Sequence, residues 1–166
     1  TLANVLGAKA RRGRVIALGW PDHAADHAAV APPREVLLPV PSWPELWAEL
    51  PEPFRSALDP ARPWALLDAA LDTALAALPS SAIEIALDPR VHLAGDRLAI
   101  GKGTRIGPGA VLEGPLRIGR DCEIRAGSYL RGGCWLGDGC VVGASVEVKR
   151  AIFLDRARAP HLTYVG

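Results

Sequence analysis

The sequence predicts a mainly β protein, a parallel β-helix of hexapeptide repeats preceded by a small α-helical or mixed N-terminal region. From Ile100 onward every sixth residue is aliphatic, the residue four positions later is usually small or otherwise able to point inward, and glycine often follows the aliphatic residue. The aliphatic positions are Ile100, Ile106, Leu112, Ile118, Ile124, Leu130, Leu136, Val142, Val148 and Leu154. The inward positions are Thr104, Ala110, Leu116, Cys122, Ser128, Cys134, Cys140, Val146 and Ile152.

A six-residue period of this kind predicts one short strand and one turn per repeat. The aliphatic residue fills the axis of the helix, and the glycine eases the corner. Three repeats then close one triangular coil of roughly 18 residues, and stacked coils pair their strands with the coils above and below. We therefore expect the repeat domain to cover residues 82–166.

Charge and apolar runs limit the classes of partner. The 166 residues carry 19 Lys/Arg and 18 Asp/Glu, so no strongly charged face toward nucleic acid is expected. The balance is uneven, with 7 basic against 10 acidic residues up to Leu87 and 12 against 8 from Asp88 onward, which suits a small anionic ligand in the second half. No apolar run is long enough for a membrane span, and no signal peptide is visible. The sequence thus predicts a cytoplasmic protein with no membrane partner.

The three cysteines, Cys122, Cys134 and Cys140, have no paired C-x-x-C spacing. An odd number in this arrangement argues against both a disulfide framework and a zinc site. All three fall on the inward position of the repeat, where a thiol acts as a compact apolar group. We expect reduced, buried, structural cysteines and no bound metal.

The first forty residues remain unassigned, with possible short strands near Arg14 and Glu35. Two histidines, His23 and His27, lie four residues apart, a spacing that would place both on one face of a helix and could hold a metal. A polar surface turn after Pro21 fits the lack of a third ligand better.

Residues 41–81 predict a helical linker. Ser42 can cap a helix with Pro44 in its first turn and Glu45 as the capping-box partner. Pro63 opens a second helix over residues 63–78, whose apolar stripe comprises Leu66, Leu67, Ala70, Leu71, Leu75 and Leu78. Three tryptophans, Trp43, Trp47 and Trp64, are expected to pack against the core rather than stack on a ligand.

Polar residues of the repeat fall into columns, because positions 18 apart lie above one another. Glu113, Arg131 and Lys149 form one predicted column, in which two cations could bind a phosphate or could be a solvated charged edge.

A second column comprises Arg125, Gly143 and His161. Tyr164 follows His161 by three residues and could share its site. Histidine near its ordinary pKa can accept a proton from an amine at neutral pH.

Three motifs of the last 37 residues appear in the order of a known family. They are L-R-x-G from Leu130, V-G-x-x-V-E-x-K from Val142 and H-L-x-Y-x-G from His161. In these motifs the chain resembles the acetyltransferase domain of the bifunctional N-acetylglucosamine-1-phosphate uridyltransferases. Residues 41–166 further resemble sugar-nucleotide pyrophosphorylase-related proteins with a helical linker before the β-helix.

The resemblance implies a left-handed β-helix, although general crossover rules favour the opposite hand. It also implies acetyl transfer from acetyl-CoA to an amino-sugar phosphate, in a homotrimer with sites between neighbouring β-helices. By resemblance His161 is the catalytic base, and Arg131, Lys149 and Tyr164 bind the substrate phosphate.

Two departures from the family matter. The nucleotidyltransferase domain is absent from this sequence, and the family continues past its Y-x-G element with further coils that contact the ligands. Either the sequence is a fragment or the site is incomplete. The alternative function is a non-catalytic β-helix module, a trimerising or regulatory partner of a separately encoded nucleotidyltransferase.

Overall fold

The computed structural model describes residues 47–166. The predictions for residues 1–40, for the helix capped by Ser42, for the His23 and His27 pair and for Trp43 lie outside the described residues. Among residues 47–166, no helix has both the length and the apolar character that a membrane span requires.

A short helical cap precedes the repeats. It contains α1 (Phe54–Ala57), a 3-10 helix (Pro63–Leu67) and α2 (Ala69–Ala76). The prediction of a single helix over residues 63–78 is wrong. The backbone leaves the helical region at Asp68, which has φ −94° and ψ −121°. The amide of Asp68 closes the 3-10 turn on Ala65, and its carbonyl accepts the first helical bond from Asp72. The Asp68 side chain makes no capping hydrogen bond, so only backbone bonds join the 3-10 helix to α2 at this residue.

Fourteen short strands follow in the described part of the chain and form three parallel sheets. Sheet 1 comprises β1 (Ser81–Ile83), β3 (Leu98–Ile100), β6 (Leu116–Ile118), β9 (Cys134–Leu136) and β12 (Ala151–Phe153). Sheet 2 comprises β4 (Arg105–Ile106), β7 (Glu123–Ile124), β10 (Val141–Val142) and β13 (Arg158–Ala159). Sheet 3 comprises β2 (His92–Ala94), β5 (Val111–Glu113), β8 (Tyr129–Leu130), β11 (Glu147–Val148) and β14 (Tyr164–Val165). The mainly β class and the parallel β-helix predicted from the repeat are confirmed.

The strand registers confirm a coil of 18 residues through most of the helix. Leu98 pairs with Leu116 in sheet 1, and Val111 pairs with Tyr129 in sheet 3. The coils between β3 and β11 therefore repeat the same inward and outward positions on each sheet. The first coil departs from this spacing, since Ser81 pairs with Leu98 at a separation of 17 and His92 pairs with Val111 at a separation of 19. The sheets have edges only where the stack of coils ends.

The coil between β9 and β12 is a residue shorter, and this corrects the repeat predicted near the end of the chain. Cys134 pairs with Ala151, and Leu136 pairs with Phe153, at a separation of 17. The corner before β9 contains two residues, Gly132 and Gly133. The equivalent corner before β12 contains only Arg150, which has φ +50°. A one-residue shift moves side chains to the other face of a strand.

Ile152 and Leu154 were predicted to point inward, and that prediction is wrong. Both lie outside sheet 1 in the cluster that holds the cap. Ala151 and Phe153 take the interior positions instead. The repeat then continues inward through Ala159 and Val165, each one residue earlier than a strict period would place them.

Small polar side chains inside the helix bond to the corners of the next coil. The Thr104 hydroxyl donates to the Gly119 carbonyl at 2.8 Å, and the Ser128 hydroxyl donates to the Gly143 carbonyl at 2.8 Å. The Cys122 thiol reaches the Gly137 carbonyl at 3.2 Å in the same manner. These bonds satisfy carbonyls that turn inward at a corner.

The prediction of reduced, buried cysteines is confirmed, since Cys122, Cys134 and Cys140 are fully buried and unpaired by disulfides. Burial raises the pKa of the Cys134 thiol to about 11. The hydrogen bond with Cys122, together with burial, also raises the pKa of Cys140. Both thiols therefore remain protonated at neutral pH, as structural rather than reactive cysteines do.

The cap packs on the outer face of sheet 1. Its buried side chains are Trp47, Leu50, Phe54, Leu66, Leu71, Ala74 and Leu75, and they meet Ile152 and Leu154 of the β-helix. The Phe54 and Trp135 rings are perpendicular, with centroids 5.2 Å apart. Packing of Trp47 is confirmed, whereas Trp64 is 58% exposed, so the prediction that it packs in the core is wrong.

Candidate functional site

Two rows of side chains project from the outer face of sheet 3. The strand row comprises His92, Val111, Tyr129, Glu147 and Tyr164, which pair in register through successive coils. The following row comprises Glu113, Arg131, Lys149 and Gly166, which come directly after the buried Leu112, Leu130, Val148 and Val165. The structure thus stacks Glu113, Arg131 and Lys149 as their 18-residue spacing predicts.

Diagonal contacts join the two rows. The Tyr129 hydroxyl donates to Glu113 Oε1 in the preceding coil at 2.7 Å. Arg131 Nη1 donates to Glu147 Oε1 in the following coil at 3.1 Å. The guanidinium carbon of Arg131 also lies 5.8 Å from the centroid of the Tyr129 ring. Each bond joins residues sixteen positions apart in the sequence. This is the length of one 18-residue coil minus the two positions that separate the rows.

This face carries charges of both signs. Arg131 and Lys149 supply two cations, and Glu113 and Glu147 supply two carboxylates. The hydrogen bond to Glu113, with some burial, raises the pKa of Tyr129, so the phenol stays neutral at physiological pH. The two cations can therefore bind an anionic ligand, while Glu113 and Glu147 accept hydrogen bonds from Tyr129 and Arg131.

Lys149 and Tyr164 occupy the next diagonal of the same face. Lys149 is exposed, and Tyr164 is 57% exposed. The Tyr164 phenol leans over Gly166, since a Cβ at Gly166 would lie 2.5 Å from the hydroxyl. Gly166 follows Lys149 in its row, so the structure turns Tyr164 toward the column of Arg131 and Lys149.

His161 lies at the opposite end of β14, on the exposed corner between sheets 2 and 3. Its carbonyl accepts a bond from the Thr163 hydroxyl at 3.2 Å. Gly166 comes five positions after His161, which corresponds to at most about 17 Å of extended chain. The chain therefore stacks Arg131 and Lys149 in successive coils, with Tyr164 in the adjacent row of the next coil, and places His161 at the edge of the same face.

The predicted column of Arg125, Gly143 and His161 needs a correction. Val142 pairs with Ala159, so Pro160 takes the place above Gly143, and His161 comes one residue later. The shorter coil at Arg150 is the cause. His161 consequently lies above Ala144, in the turn rather than at the end of a strand.

Leu162, next to His161, has an unusual backbone. It is 78% exposed and has φ +55°, a left-handed conformation that branched and bulky residues seldom adopt. The equivalent positions in earlier coils hold Gly109, Gly127 and Ser145, all with positive φ. This turn geometry directs the side chains of the H-L-x-Y segment away from the helix.

Neither Tyr129 nor Glu147 stands out in the sequence as a site residue. Their contacts run diagonally between coils and join residues sixteen positions apart in the sequence. The columns, in contrast, join residues eighteen positions apart. The spacing of sixteen becomes informative only once the outward rows of one sheet are known.

Another charged feature lies on sheet 2. A shallow groove of about 280 Å³ is lined by Arg105, Ile106, Gly107, Glu123, Ile124, Arg125 and Ala126. Glu123 binds Arg125 at 2.9 Å and Arg105 at 3.7 Å, and the hydrogen bond to Arg125 lowers the pKa of Glu123. These arginines are half to three-quarters exposed, which makes the groove a solvated edge.

Comparison with known proteins agrees with the fold. The family model described as bacterial transferase hexapeptide (six repeats) matches residues 99–132 and 115–150. A curated relative, the bifunctional protein GlmU of Rippkaea orientalis, is 29% identical over 98 residues, which covers 50% of this chain. The chain spans about a fifth of that relative's length, 21%. Residues 99–150, which form stacked coils in the structure, are thus similar to the bacterial transferase hexapeptide family, and half of the chain is similar to a part of GlmU.

Proposed function

We propose that this chain is part of an acetyl-CoA-dependent N-acyltransferase that acts on an amino-sugar phosphate such as glucosamine-1-phosphate. The supporting observation is the outer face of sheet 3, where Arg131 and Lys149 stack in successive coils with Tyr164 in the adjacent row of the next coil. The phosphate of an amino-sugar phosphate matches this pair of cations. The hexapeptide transferase match supports the reaction class.

In this proposal Arg131, Lys149 and Tyr164 bind the phosphate. The planar fork of Arg131 can form two parallel hydrogen bonds, and Lys149 adds a point charge one coil away. Tyr164, which leans toward the row of Lys149, can donate its hydroxyl proton to a phosphate oxygen. The phosphate would thereby fix the sugar on the face.

His161 serves as the general base. Its imidazole takes a proton from the attacking amine while nitrogen bonds to the thioester carbonyl carbon and the carbon–sulfur bond breaks. The proton then passes to the departing thiolate to give the free thiol, so the reaction balances with no covalent enzyme intermediate. Holding both substrates in line supplies much of the rate enhancement.

The proposed assembly is a homotrimer with sites between neighbouring β-helices. Its support is the open outer face of sheet 3, in contrast to sheet 1, which the cap covers. The position of His161 at a corner suits a ligand shared by two copies. Trimerisation and the acyl donor both rest on the family resemblance.

A thiol-release assay tests the proposal, with the full-length protein, acetyl-CoA and glucosamine-1-phosphate. His161→Ala should lower kcat by roughly 10²- to 10⁴-fold with little change in KM, as expected for loss of a general base. His92→Ala is the matched control, since His92 is also exposed on sheet 3 but lies several coils away.

The alternative function has a distinct outcome. If the full-length protein shows no turnover and calorimetry detects neither ligand, the catalytic proposal is wrong. A non-catalytic module that assembles with a nucleotidyltransferase would then be the better account. An equal decrease of kcat in His161→Ala and His92→Ala would likewise contradict a specific role for His161.

A further inference from the structure

The contacts around Arg131 differ from an ordinary surface ion pair. Tyr129 lies beside the guanidinium, Glu113 holds the Tyr129 hydroxyl, and Glu147 holds Nη1 from the other side. These four side chains come from three consecutive coils. Only Arg131 is predicted to touch a ligand.

We propose that Tyr129 and Glu113 are a positioning pair that fixes the Arg131 guanidinium for an anionic ligand. The inference rests on the proposed function, because it assigns to this pair the preparation of the phosphate site. Neither residue is expected to touch the substrate, so both are positioning residues rather than catalytic ones.

The physical reason is the flexibility of arginine. An exposed arginine loses rotamer freedom when it binds an anion, and a site that already restricts the side chain loses less. The Tyr129 ring face attracts the guanidinium, and the Glu147 bond fixes one end. That bond uses one of five donors, so the rest of the fork can still meet a phosphate.

Glu113 acts on the ring rather than on the arginine. Its carboxylate accepts the 2.7 Å bond from the phenol and so fixes the ring from one coil below. The same bond keeps the phenol neutral. A free tyrosine on a surface strand could rotate away, and Arg131 would then keep only the contact to Glu147.

These contacts lie outside the elements that hold the coils together. The interior next to them is filled by Leu130, which is fully buried, and the strand pairing uses backbone groups. The corresponding outward position in the preceding coil is Val111, so the fold does not require a tyrosine there. This separation makes a role for Tyr129 testable apart from stability.

The first test needs no ligand. The Nε–Hε signal of Arg131, assigned with Arg131→Lys, should be shifted upfield by the ring current of Tyr129 in nuclear magnetic resonance spectra. Tyr129→Leu should move the signal toward that of a free arginine, whereas Tyr129→Phe should keep much of the shift. In Glu113→Gln the Arg131 signal should lie between its positions in Tyr129→Leu and Tyr129→Phe. Glu123→Gln, on sheet 2, should leave the signal unchanged.

The second test uses glucosamine-1-phosphate in calorimetry and in the thiol-release assay. Tyr129→Leu should weaken affinity and raise KM about 2- to 5-fold, the expected size for one exposed cation–π contact, with kcat unchanged. Tyr129→Phe should recover most of the affinity. Should Tyr129→Leu fail to fold, Tyr129→Phe and Glu113→Gln still distinguish the ring from its hydroxyl bond.

The outcomes separate this inference from the proposed function. An Arg131 signal that does not move in Tyr129→Leu overturns the positioning role, as does a moved signal with unchanged affinity. A moved signal in a protein whose wild type binds no glucosamine-1-phosphate contradicts both the proposed function and the ligand part of the inference, while leaving the ordered arginine as a structural fact.

Discussion

Sheet 1 and sheet 3 share one repeat and differ in what covers them. Their inward rows are equally apolar, from Leu116 and Leu136 in sheet 1 to Leu130 and Val148 in sheet 3. Their outward rows differ, with Trp135 and Ile152 under the cap but a tyrosine and carboxylates on the open face. The hexapeptide period thus specifies the inside of the coil, while the outward residues differ between the sheet that the cap covers and the sheet that it leaves open.

The two regions meet at the short corner of the chain. Lys149 belongs to the open face, and the next residue, Arg150, reaches the cap. Its guanidinium binds both carboxylate oxygens of Asp72, at 2.9 and 3.0 Å, and the Leu67 carbonyl at 2.6 Å. We therefore expect changes under the cap to affect stability, and changes on the open face to affect ligands.

The largest expected effect on stability is under the cap. Phe54→Ala should lower the free energy of unfolding by about 3–5 kcal/mol, because it leaves a cavity at a fully buried ring that contacts Trp135. Denaturant unfolding followed by circular dichroism measures this. The folded variant should keep the ligand affinity of the wild type.

Trp64→Ala is the matched control, since this aromatic residue of the cap is mostly exposed. Its effect should stay within roughly 0.5 kcal/mol. If Trp64→Ala destabilises the protein as much as Phe54→Ala does, the cap does not pack as the structure shows.

On the open face we expect the reverse behaviour. Arg131→Ala and Lys149→Ala should each weaken binding of glucosamine-1-phosphate roughly 10- to 100-fold through loss of a charge-assisted hydrogen bond. The melting temperature should hardly change, because both side chains project from the coil. Calorimetry and a thermal melt on the same sample measure the affinity and the melting temperature. A large drop in melting temperature without loss of affinity would show that these residues stabilise the fold instead of binding the ligand.

The difference between the sheets also explains what the sequence could predict. The six-residue period predicted the coil and the buried cysteines because every repeat imposes the same inward environment. The period placed Ile152 and Leu154 inside the coil, which is wrong. The loss of one residue at Arg150 cannot be seen in the sequence, because apolar residues occur both at the positions the period predicts and one position earlier. The columns of the site followed from the period, but the contacts of Tyr129 and Glu147 depend on which face is open.

The interior thiols should matter less than the cap. Cys134→Ala should lower the free energy of unfolding by roughly 0.5–2 kcal/mol, from lost packing of a small buried group. Its thiol lies 3.1 Å from the Arg131 carbonyl and would leave that acceptor with one partner fewer. Cys134→Ser, which restores a donor, separates packing from hydrogen bonding in the same unfolding experiment. Loss of ligand affinity at unchanged stability would contradict a structural role.

The smallest effect concerns the ion pair between Asp72 and Arg150, whose side chains are 59% and 41% exposed. The hydrogen bonds from Arg150 lower the pKa of Asp72 below its ordinary value of 3.8. A carboxyl with a lowered pKa in the folded state stabilises the protein above the unfolded pKa, and that contribution disappears as pH falls through the folded value.

Asp72→Asn should therefore reduce stability slightly at neutral pH, and its difference from the wild type should shrink as the pH falls below about 3.8 toward the lowered pKa. Urea unfolding at several pH values measures the difference, and high salt should reduce it because the pair is exposed. In the background of Arg150→Ala the same substitution should have no pH-dependent effect. A difference that persists without Arg150 would show that Asp72 acts on the cap through another contact, and that the two regions are not joined by this pair.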